Sequence, residues 1–467
     1  MTGLRRSNKL KMPKVTVYIP AHNYGKYLSQ AIDSVIKQKF DDWELIIIDD
    51  GSTDNTADIL KIFDDYPKIK IIHQDKRGLS ITNNIALRLS SGQYIIRLDA
   101  DDYLDENALL VLSNILDTHS DVGLVYPDYY RVDERGEIID LERRKKIGEE
   151  VTLLDLPAHG ACTMIRKSCL TELGGYDETL PCQDGYELWL RFINKYKPYN
   201  VNVPLFYYRQ HSKSLTQNKR KILSARHRAK RNFVKAKFGK DMPKILAIIP
   251  VRKQSSIYPD AALKDIAGKP LIYYTISEAL KTNLLDRIVV TSDDEEVLEY
   301  IKGFPKITGI RRPPELSLPN SRIEPTVEYV LSALKREQDY RPYAVMLLYI
   351  HTPLRKSFHI EKAIDTMLIF DVDSVVSVCE DINFYYRHTK NGLNPLVKKR
   401  LLRLERDALY RENGTIYLSK ASAIKKDNFL GNKIGHIVML PEESIKIDSE
   451  FNYWLTEKII REWKNSK

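Results

Sequence analysis

Carboxylates stand at the ends of two apolar runs in the first half of this 467-residue chain. Asp49 and Asp50 close the run ELIII, and fifty residues later YIIRL ends in the sequence DADD, which contains Asp99 and Asp101. A charged side chain at the end of a buried strand costs free energy unless a partner uses it. Clustered acids suit a hard divalent cation, which can offset the charge of a diphosphate leaving group. A helix cap formed by Ser52, Thr53 or Asp54 is the simpler alternative for this segment, and it would explain one of those three residues but not the pair before them.

The elements around these acids alternate between strands and helices. Apolar runs such as ELIIID at 44–49 and RIVVTSD at 287–293 are interleaved with helical patterns such as YLSQAIDSVIKQ at 27–38 and PTVEYVLSALKRE at 325–337. The alternation predicts an α/β fold with mostly parallel sheets covered by helices. Ligands are then expected beyond the carboxyl ends of the strands.

Two stretches begin in nearly the same way, KVTVYIPA at 14–21 and KILAIIPV at 244–251. Each is expected to begin a separate α/β unit, in keeping with a chain longer than a usual single core. The predicted organisation is an N-terminal tail at 1–12, a first domain at 13–217, a basic linker helix at 218–243 and a second domain at 244–467.

The positive charge of the chain lies mainly in one segment. The formal net charge is +10, and residues 213–244 carry twelve Lys or Arg against one acid, Asp241. Apolar residues at helical spacing predict a basic amphipathic helix. We interpret it as a solvated helix that packs on the first domain and joins it to the second. Contact with an anionic membrane through 219–240 is the main alternative, and nucleic acid is the least favoured partner.

Composition favours an ordinary globular protein of the cytoplasm, with 43% hydrophobic residues. The longest apolar runs are too short for a membrane span, and the first twelve residues lack the apolar core of a secretory signal. The cysteines show no zinc-like spacing, so we expect free thiols at Cys162, Cys169, Cys182 and Cys379.

Five motifs of the first half resemble, in order, those of family 2 glycosyltransferases of the GT-A fold. The motifs are VYIPAHNYGKYLSQAIDSVIKQ, IIIDDGSTDNT, YIIRLDADD, GGYDETLPCQDGYELWLRF and YYRQHSKSLT. They cover about residues 15–217. The resemblance implies a nucleotide-sugar donor, a glycan or lipid-linked acceptor, and Mg²⁺ or Mn²⁺ on the diphosphate.

The same resemblance implies roles for individual residues. Those implied to bind the nucleotide-sugar are Pro20, Asn23, Asp49, Asp50, Asp99 and Asn84. Those implied to bind the metal are Asp101, Asp99 and His211. An inverting transfer needs a carboxylate that takes the acceptor's proton, and the resemblance places this base at Asp184, which can also cap the following helix. We expect Glu187 to have an orienting or structural role.

One departure from the family pattern is visible in QDKRGLSITNNIAL. The family usually has an arginine followed by an asparagine where this chain has Asn83 and Asn84. We therefore expect a donor contact that is weaker or displaced. The loop at 127–150 follows no pattern that indicates the acceptor.

From Lys244 onward the sequence resembles the cytidylyltransferases that make CMP-sugars. The similar segments include IIPVRKQSSIYPDAALKDIAGKPLI, RRPPELS, HTPLR, YRENGTIYL and PEESIKIDSEFN. Residues that could bind a sugar or its nucleotide, or could simply serve the fold, are Arg252, Ser255, Arg355, Asn413 and Asp448.

Several charged residues expected from this second resemblance are missing. Ser256, Ile257 and Ala261 stand where basic residues would surround a triphosphate, and Lys446 replaces one of two metal-binding aspartates. Two interpretations stay open. The second half is either a degenerate module kept for binding or for pairing of two chains, or an active enzyme that makes a CMP-activated acidic sugar from CTP.

Overall fold

The computed structural model describes residues 12–144, 160–180, 184–211, 219–253, 261–318, 321–381, 383–390, 392–396 and 409–462. It divides into two compact units, Met1–Phe233 and Val234–Lys467. This division falls within the basic helix, and the linker limits predicted from the sequence stay a prediction. No helix in the described ranges is long and apolar enough to cross a lipid bilayer. Cys162, Cys169 and Cys379 are buried free thiols, and Cys182 lies outside the described residues.

The first unit is built from alternating strands and helices. Its strands are β1 (Val15–Ala21), β2 (Trp43–Asp50), β3 (Ile69–Gln74), β4 (Tyr94–Arg97), β5 (Tyr103–Leu104), β6 (Val122–Val132), β7 (Ile138–Glu142), β8 (Met164–Arg166) and β9 (Lys197–Arg209). Its helices are α1 (Gly25–Ile36), α2 (Thr56–Lys61), α3 (Leu79–Leu89), α4 (Ala108–Thr118), α5 (Lys167–Glu172), α6 (Asp184–Ile193) and the basic helix α7 (Lys219–Phe238), which runs past the division between the units.

The sheet of the first unit has the strand order β3-β2-β1-β4-β8-β6-β9-β5, with β7 paired to β6. Strands β3, β2, β1 and β4 are parallel, whereas β8 is antiparallel to both β4 and β6. Helices cover both faces, so β2 is buried along almost its whole length: Ile47 packs in one core with Ile32 of α1, and Ile46 packs in the other with Trp189 of α6. The predicted α/β class is confirmed.

The parallel part of this sheet positions the polar loops. Strand β1 lies between β2 and β4, and all three run in the same direction. Residues that follow Ala21, Asp50 and Arg97 therefore meet at one edge of the sheet. Chain order reverses between β1 and β4, and in open α/β sheets this reversal creates the crevice in which ligands bind.

The second unit repeats the alternation of strands and helices. Its strands are β10 (Ile245–Val251), β11 (Asp265–Ile266), β12 (Lys269–Pro270), β13 (Arg287–Ser292), β14 (Ile307–Arg311), β15 (Ala344–Leu347), β16 (Ser374–Asp381), β17 (Tyr386–Thr389), β18 (Gly392–Pro395), β19 (Leu409–Lys420) and β20 (Ile434–Val438). Its helices are α8 (Leu271–Leu280), α9 (Glu295–Ile301), α10 (Glu324–Gln338), α11 (Ser357–Phe370) and α12 (Glu450–Arg461).

The main sheet of the second unit has the order β14-β13-β10-β15-β19-β16-β20. Strands β14, β13, β10 and β15 are parallel, and β19 runs antiparallel to its neighbours β15 and β16. Buried apolar side chains of β10, β13 and β15 pack against α10 through Val327, Val330 and Leu334. Both units thus have a parallel core that is extended on one side by antiparallel pairing.

Candidate functional site

The loops after β1 and β2 are tied together at the carboxyl edge of the first sheet. Asn23 has a φ of 61°, in the left-handed region, and its Oδ1 accepts a hydrogen bond from the backbone N–H of Thr53 at 2.7 Å. Its own N–H donates to Ser52 Oγ at 3.0 Å. The buried Asp49 accepts from the Ser52 N–H at 3.0 Å. These bonds build a polar rim beside Pro20, where the resemblance implies the nucleotide.

Asp50 organises the segment that leads into α3. Its carboxylate is buried and accepts hydrogen bonds from Gln74 Nε2 at 2.7 Å, from the Arg77 N–H at 2.7 Å and from the Gly78 N–H at 2.8 Å. Gly78 has a φ of 95°, which favours glycine at this position. Groups of the fold itself therefore hold this carboxylate, and Asp50 contributes to the site by fixing the position where α3 begins.

A buried arginine joins two of the implied site carboxylates. Nη1 of Arg97 donates to Oδ2 of Asp184 at 2.6 Å, and Nε of Arg97 lies 2.8 Å from Oδ1 of Asp99. Asn83 Nδ2 donates to the same Asp184 oxygen at 2.8 Å. The Arg97 and Asp184 side chains are only 8% and 7% exposed. The fold thus brings the end of β4 and the first residue of α6 into direct contact.

The carboxyl groups after β4 are crowded and shielded from water. Burial raises the pKa of Asp99 to about 6, while Arg97 opposes this shift and the charges of Asp101 and Asp184 add to it. Burial also raises the pKa of Asp102 well above its usual range, and the charge of Asp101 adds to the effect. Acids in this state gain stability from a nearby cation.

Asp101 contacts the histidine that follows β9. His211 Nε2 lies 2.9 Å from Asp101 Oδ2, and the two side chains are 5% and 15% exposed. The imidazole stacks on Tyr27 with ring centroids 5.7 Å apart and meets the edge of Tyr24 at 5.9 Å. Burial, with a contribution from Asp101, raises the pKa of Tyr24 well above its usual value. The rings hold the imidazole in a defined orientation beside the carboxylate.

Arg209, the last residue of β9, is a site residue that the sequence motifs do not predict. Its guanidinium is buried: Nε donates to the Asp101 carbonyl at 2.8 Å, Nη1 to the Asp133 carbonyl at 3.1 Å and Nη2 to Gln30 Oε1 at 2.6 Å. It also lies over the Tyr27 ring, 4.7 Å from the centroid. Arg209 therefore fixes the backbone that carries Asp101, and no spacing in the sequence indicates these partners.

The donor atoms of Asp101 and His211 suit Mg²⁺ or Mn²⁺. Carboxylate oxygen is the preferred ligand of both ions, and imidazole is compatible with Mn²⁺. Within the described ranges, no three His, Cys, Asp or Glu side chains converge as a group able to hold a metal. Two protein ligands still fit an ion whose other positions are taken by substrate phosphates and water. Asp99 is turned towards Arg97 instead.

Two further residues of the implied site are engaged within the fold. Asn84 donates to the Tyr176 carbonyl at 2.9 Å and to Glu178 at 2.8 Å, and it accepts from the Tyr176 N–H at 2.8 Å. Glu187 makes a two-pronged contact with Arg191 at 2.5 and 2.6 Å. Asn84 thus holds the loop before α6, and Glu187 fixes the first turns of that helix.

In the second unit, two candidate residues are buried and bonded to their own surroundings. Arg355 donates to the Thr415 carbonyl at 3.1 Å and to the Tyr349 carbonyl at 2.8 Å, and burial lowers its pKa to about 9. Asn413 accepts from Ser377 Oγ at 2.6 Å and donates to Ser444 Oγ at 2.9 Å. These bonds are sufficient to explain both residues by the fold.

The other second-unit candidates lie nearer the surface. Arg252 donates to the carbonyls of Leu318 and Ser321 at 2.9 and 2.7 Å, and Asp448 accepts from Asn452 at 2.7 Å. Ser255 lies outside the described residues. A polar cavity of about 390 Å³ is lined by Arg411, Glu412, Asn413, Gly414, Tyr417, Pro441, Ser444, Ile445, Lys446, Asp448 and Asn452.

Comparison with family models decides between the possible classes of each unit. Residues 16–174 match the model described as "Glycosyl transferase family 2", and residues 246–458 match "Cytidylyltransferase". The chain therefore joins a family 2 glycosyltransferase domain to a cytidylyltransferase-like domain. This pair of domains is the one predicted from the motifs, and the prediction is confirmed.

Individual relatives match the glycosyltransferase domain. The chain is 31% identical over 184 residues to chondroitin synthase of Escherichia coli, covering 39% of this chain and 26% of that protein. It is 30% identical over 196 residues to hyaluronan synthase of Pasteurella multocida, covering 41% and 20%. Glycosyltransferase GlyG of Streptococcus pneumoniae is 33% identical over 122 residues, covering 26% and 40%. The chain thus spans well under half the length of these relatives.

Solved structures give lower similarity. Residues 1–349 of TarS from S. aureus in complex with UDP-GlcNAc align with 17% identity and a TM-score of 0.41, covering 47% of this chain and 66% of that one. The mannosyltransferase PcManGT of Pyrobaculum calidifontis, in complex with GDP-Man and Mn²⁺, aligns with 15% identity and a TM-score of 0.39, covering 48% and 65%.

Proposed function

We propose that the first unit transfers a sugar, with inversion at the anomeric carbon, from a nucleotide-sugar donor to a glycan or lipid-linked acceptor in the synthesis of a surface polysaccharide or glycoconjugate. One observation carries the proposal: three distant segments, around Asp99, Asp184 and His211, meet at the carboxyl edge of the sheet through contacts of 2.6 to 2.9 Å. The similarity to chondroitin and hyaluronan synthases supports a polysaccharide as the acceptor.

We propose that the nucleotide binds along the polar rim formed by Asn23 and Asp49. That rim is fixed by hydrogen bonds between the loops after β1 and β2, so little ordering is needed when the donor binds. The diphosphate then lies towards Asp101 and His211, the two residues that would hold Mg²⁺ or Mn²⁺. A bound ion would offset the negative charge of the leaving nucleoside diphosphate.

Asp184 is the general base. Its Oδ2 is held by Arg97 and Asn83, and its other oxygen, Oδ1, takes the proton of the acceptor hydroxyl. The hydroxyl oxygen attacks the anomeric carbon on the face opposite the diphosphate, so that one displacement inverts the configuration. Proximity of base, acceptor and donor removes most of the entropic barrier of the reaction.

A transfer assay tests this function. The full-length protein is incubated with Mn²⁺ and a panel of UDP- and GDP-sugars, including UDP-N-acetylglucosamine and GDP-mannose, together with glycosaminoglycan and lipid-linked acceptors. We expect release of UDP or GDP that EDTA abolishes, and an NMR spectrum of the product that shows the anomeric configuration opposite to the donor's. Retained configuration, or turnover that EDTA leaves unchanged, would contradict the proposal.

We propose a non-transferring role for the second unit, as a module that binds a ligand or pairs two chains. The internal bonding of Arg355 and Asn413 supports this role, as does Lys446 in place of a metal-binding aspartate. Release of pyrophosphate from CTP in the presence of an acidic sugar would instead establish a bifunctional enzyme. A single-chain mass for the full-length protein in light scattering would exclude the pairing role.

Helix α7 is the proposed contact with the cytoplasmic face of the membrane. Ala225 and Ala229 are buried, and the Arg226 guanidinium lies 5.0 Å from the centroid of the Tyr186 ring, so one face of the helix packs on the first unit. Exposed basic residues of the helix, such as Arg228 and Lys235, would attract anionic lipid headgroups. Sedimentation with vesicles that contain phosphatidylserine should bring the protein down, whereas neutral vesicles should not.

A further inference from the structure

Arg97 occupies an unusual place for a charged side chain. It is the last residue of β4, all of whose residues are buried, and its own side chain is 8% exposed. Its guanidinium reaches two carboxylates of different elements, Asp99 after β4 and Asp184 at the start of α6. Gly160 makes room for it, because a Cβ at that position would lie 2.2 Å from Arg97 Nη2. The fold therefore accommodates this guanidinium closely.

We propose that Arg97 is a positioning residue for sugar transfer, which acts through Asp184 by holding Oδ2 and leaving Oδ1 as the proton acceptor. The inference rests on the function proposed above. Asn83 donates to the same Oδ2, so a charged and a neutral donor fix one carboxylate oxygen from two directions. A carboxylate held in this way loses little rotational freedom when the acceptor arrives.

The stability of the fold does not account for this arrangement by itself. Removing two charges from water costs several kcal/mol per ion, and apolar replacements of buried ion pairs are often neutral or stabilising. A guanidinium also differs from an ammonium group, because its planar fork donates in several fixed directions at once. Contact with both Asp99 and Asp184 requires that fork, and one lysine amine would reach a single carboxylate well.

The geometry further indicates that Arg97 supplies the cation that is missing at position 83 of α3. Asn83 stands where the related family usually has an arginine, and here it shares its Asp184 contact with Arg97. Asn83 is fully buried, and its Oδ1 has no hydrogen-bond partner among the described residues. The positive charge that faces Asp184 thus comes from the strand, and the helix contributes a neutral amide.

The test compares Arg97→Gln and Arg97→Lys in the full-length protein, with release of UDP from UDP-N-acetylglucosamine or of GDP from GDP-mannose as the assay. We expect Arg97→Gln to lower kcat about 100-fold with the donor KM within threefold, because the group acts through the base. Arg97→Lys should lose only about tenfold. Arg88→Gln is the control, since Arg88 is exposed in the last turn of α3, and it should behave as wild type.

A second measurement separates positioning from a general structural role. In the Asp184→Asn background, Arg97→Gln should cause no further loss of kcat, because residues that act as a unit are not additive. Equal losses in both backgrounds would overturn the proposal. A crystal structure of Arg97→Gln should show a reoriented Asp184 carboxylate, and an unchanged carboxylate would also overturn it, even if no donor is turned over. Full activity of Asp184→Asn itself would instead refute the proposed function.

Discussion

The two units keep polar residues near the ends of their sheets for different physical reasons. In the first unit, Asp99, Asp101 and Asp184 lie close together, and the pKa of Asp99 is raised to about 6 by burial and by the charges of the other two. A cation or substrate would relieve the repulsion between these carboxylates. In the second unit, Arg355 and Asn413 are buried and bonded to nearby backbone and hydroxyl groups. Residues of the two resemblances are therefore crowded charged groups in the first unit and internally bonded groups in the second.

The difference is visible in how the bonds are distributed. The carboxylates of the first site contact one arginine and one histidine, and burial with the neighbouring acids keeps the pKa of Asp99 raised to about 6. Asn413, by contrast, satisfies Ser377, Thr415 and Ser444 at once. Groups that are fully satisfied stabilise the native state, whereas incompletely compensated groups at a crevice are typical of sites that bind or transform a ligand.

The largest expected effect is on activity and belongs to the first unit. Asp184→Asn keeps the shape of the side chain and removes its basicity, so kcat for sugar transfer should fall about 10³-fold. The donor KM should change less than threefold, as measured by steady-state release of nucleoside diphosphate. Asp121→Asn, at the exposed ion pair with Lys197, is the control and should keep full activity. An active Asp184→Asn enzyme would remove the distinction between the units.

An intermediate effect is expected on stability in the second unit. Asn413→Ala removes three hydrogen bonds from a buried cluster and should lower the free energy of unfolding of that unit by about 2–3 kcal/mol. Urea unfolding followed by limited proteolysis reports the two units separately. Asn394→Ala, which removes one long hydrogen bond on an exposed hairpin, should change stability by less than about 0.5 kcal/mol.

The same variant is also compared with the wild type in the sugar-transfer assay. Asn413→Ala should leave kcat of the first unit unchanged, because the hydrogen bonds described for Asn413 all lie within the second unit. A stable Asn413→Ala protein that has lost binding of CTP would show instead that the amide contacts a ligand.

The smallest effect is a pH dependence of the second unit. Burial, together with the charge of Lys446, lowers the pKa of His351 from 6.5 to about 4, and Asp448 opposes the shift. The unfolded chain binds this proton at higher pH than the folded one, so protonation favours unfolding. Stability from this group is complete above about pH 6.5 and is lost as the pH falls towards 4. His351→Gln should flatten that part of the stability curve, and the exposed-site variant His388→Gln should not.

Much of the first site could be predicted from sequence, because its acids follow apolar strand runs. Asp49 and Asp99 lie at the same edge of the sheet, because β2 and β4 run parallel on either side of β1. The meeting of β4 with α6 was implied by the family resemblance, and spacing alone does not indicate it. The GT-A and cytidylyltransferase-like classes could also be predicted, because they follow from the order of the motifs along the chain.

The partners within the site could not be predicted. Arg97 sits in the apolar run YIIRL, and nothing local shows that its charge is matched by Asp184, far along the chain. Asn84 and Arg209 are polar residues of motif segments, yet each serves a backbone segment that only tertiary packing brings near. In the second unit, the sequence indicates Arg355 as a possible ligand contact, whereas its side chain is buried in the structure.

The most direct test of the account is calorimetric titration of UDP and GDP into the full-length protein and its Asp101→Ala variant, each with Mn²⁺ and with EDTA. We expect the wild type to bind at least one of the two nucleotides in the presence of Mn²⁺. Its affinity for that nucleotide should be at least tenfold lower with EDTA, and the Asp101→Ala variant should show a similar loss of affinity with Mn²⁺. Binding that neither EDTA nor the substitution weakens would contradict a metal site at Asp101 and His211, and with it the proposed metal-dependent transfer.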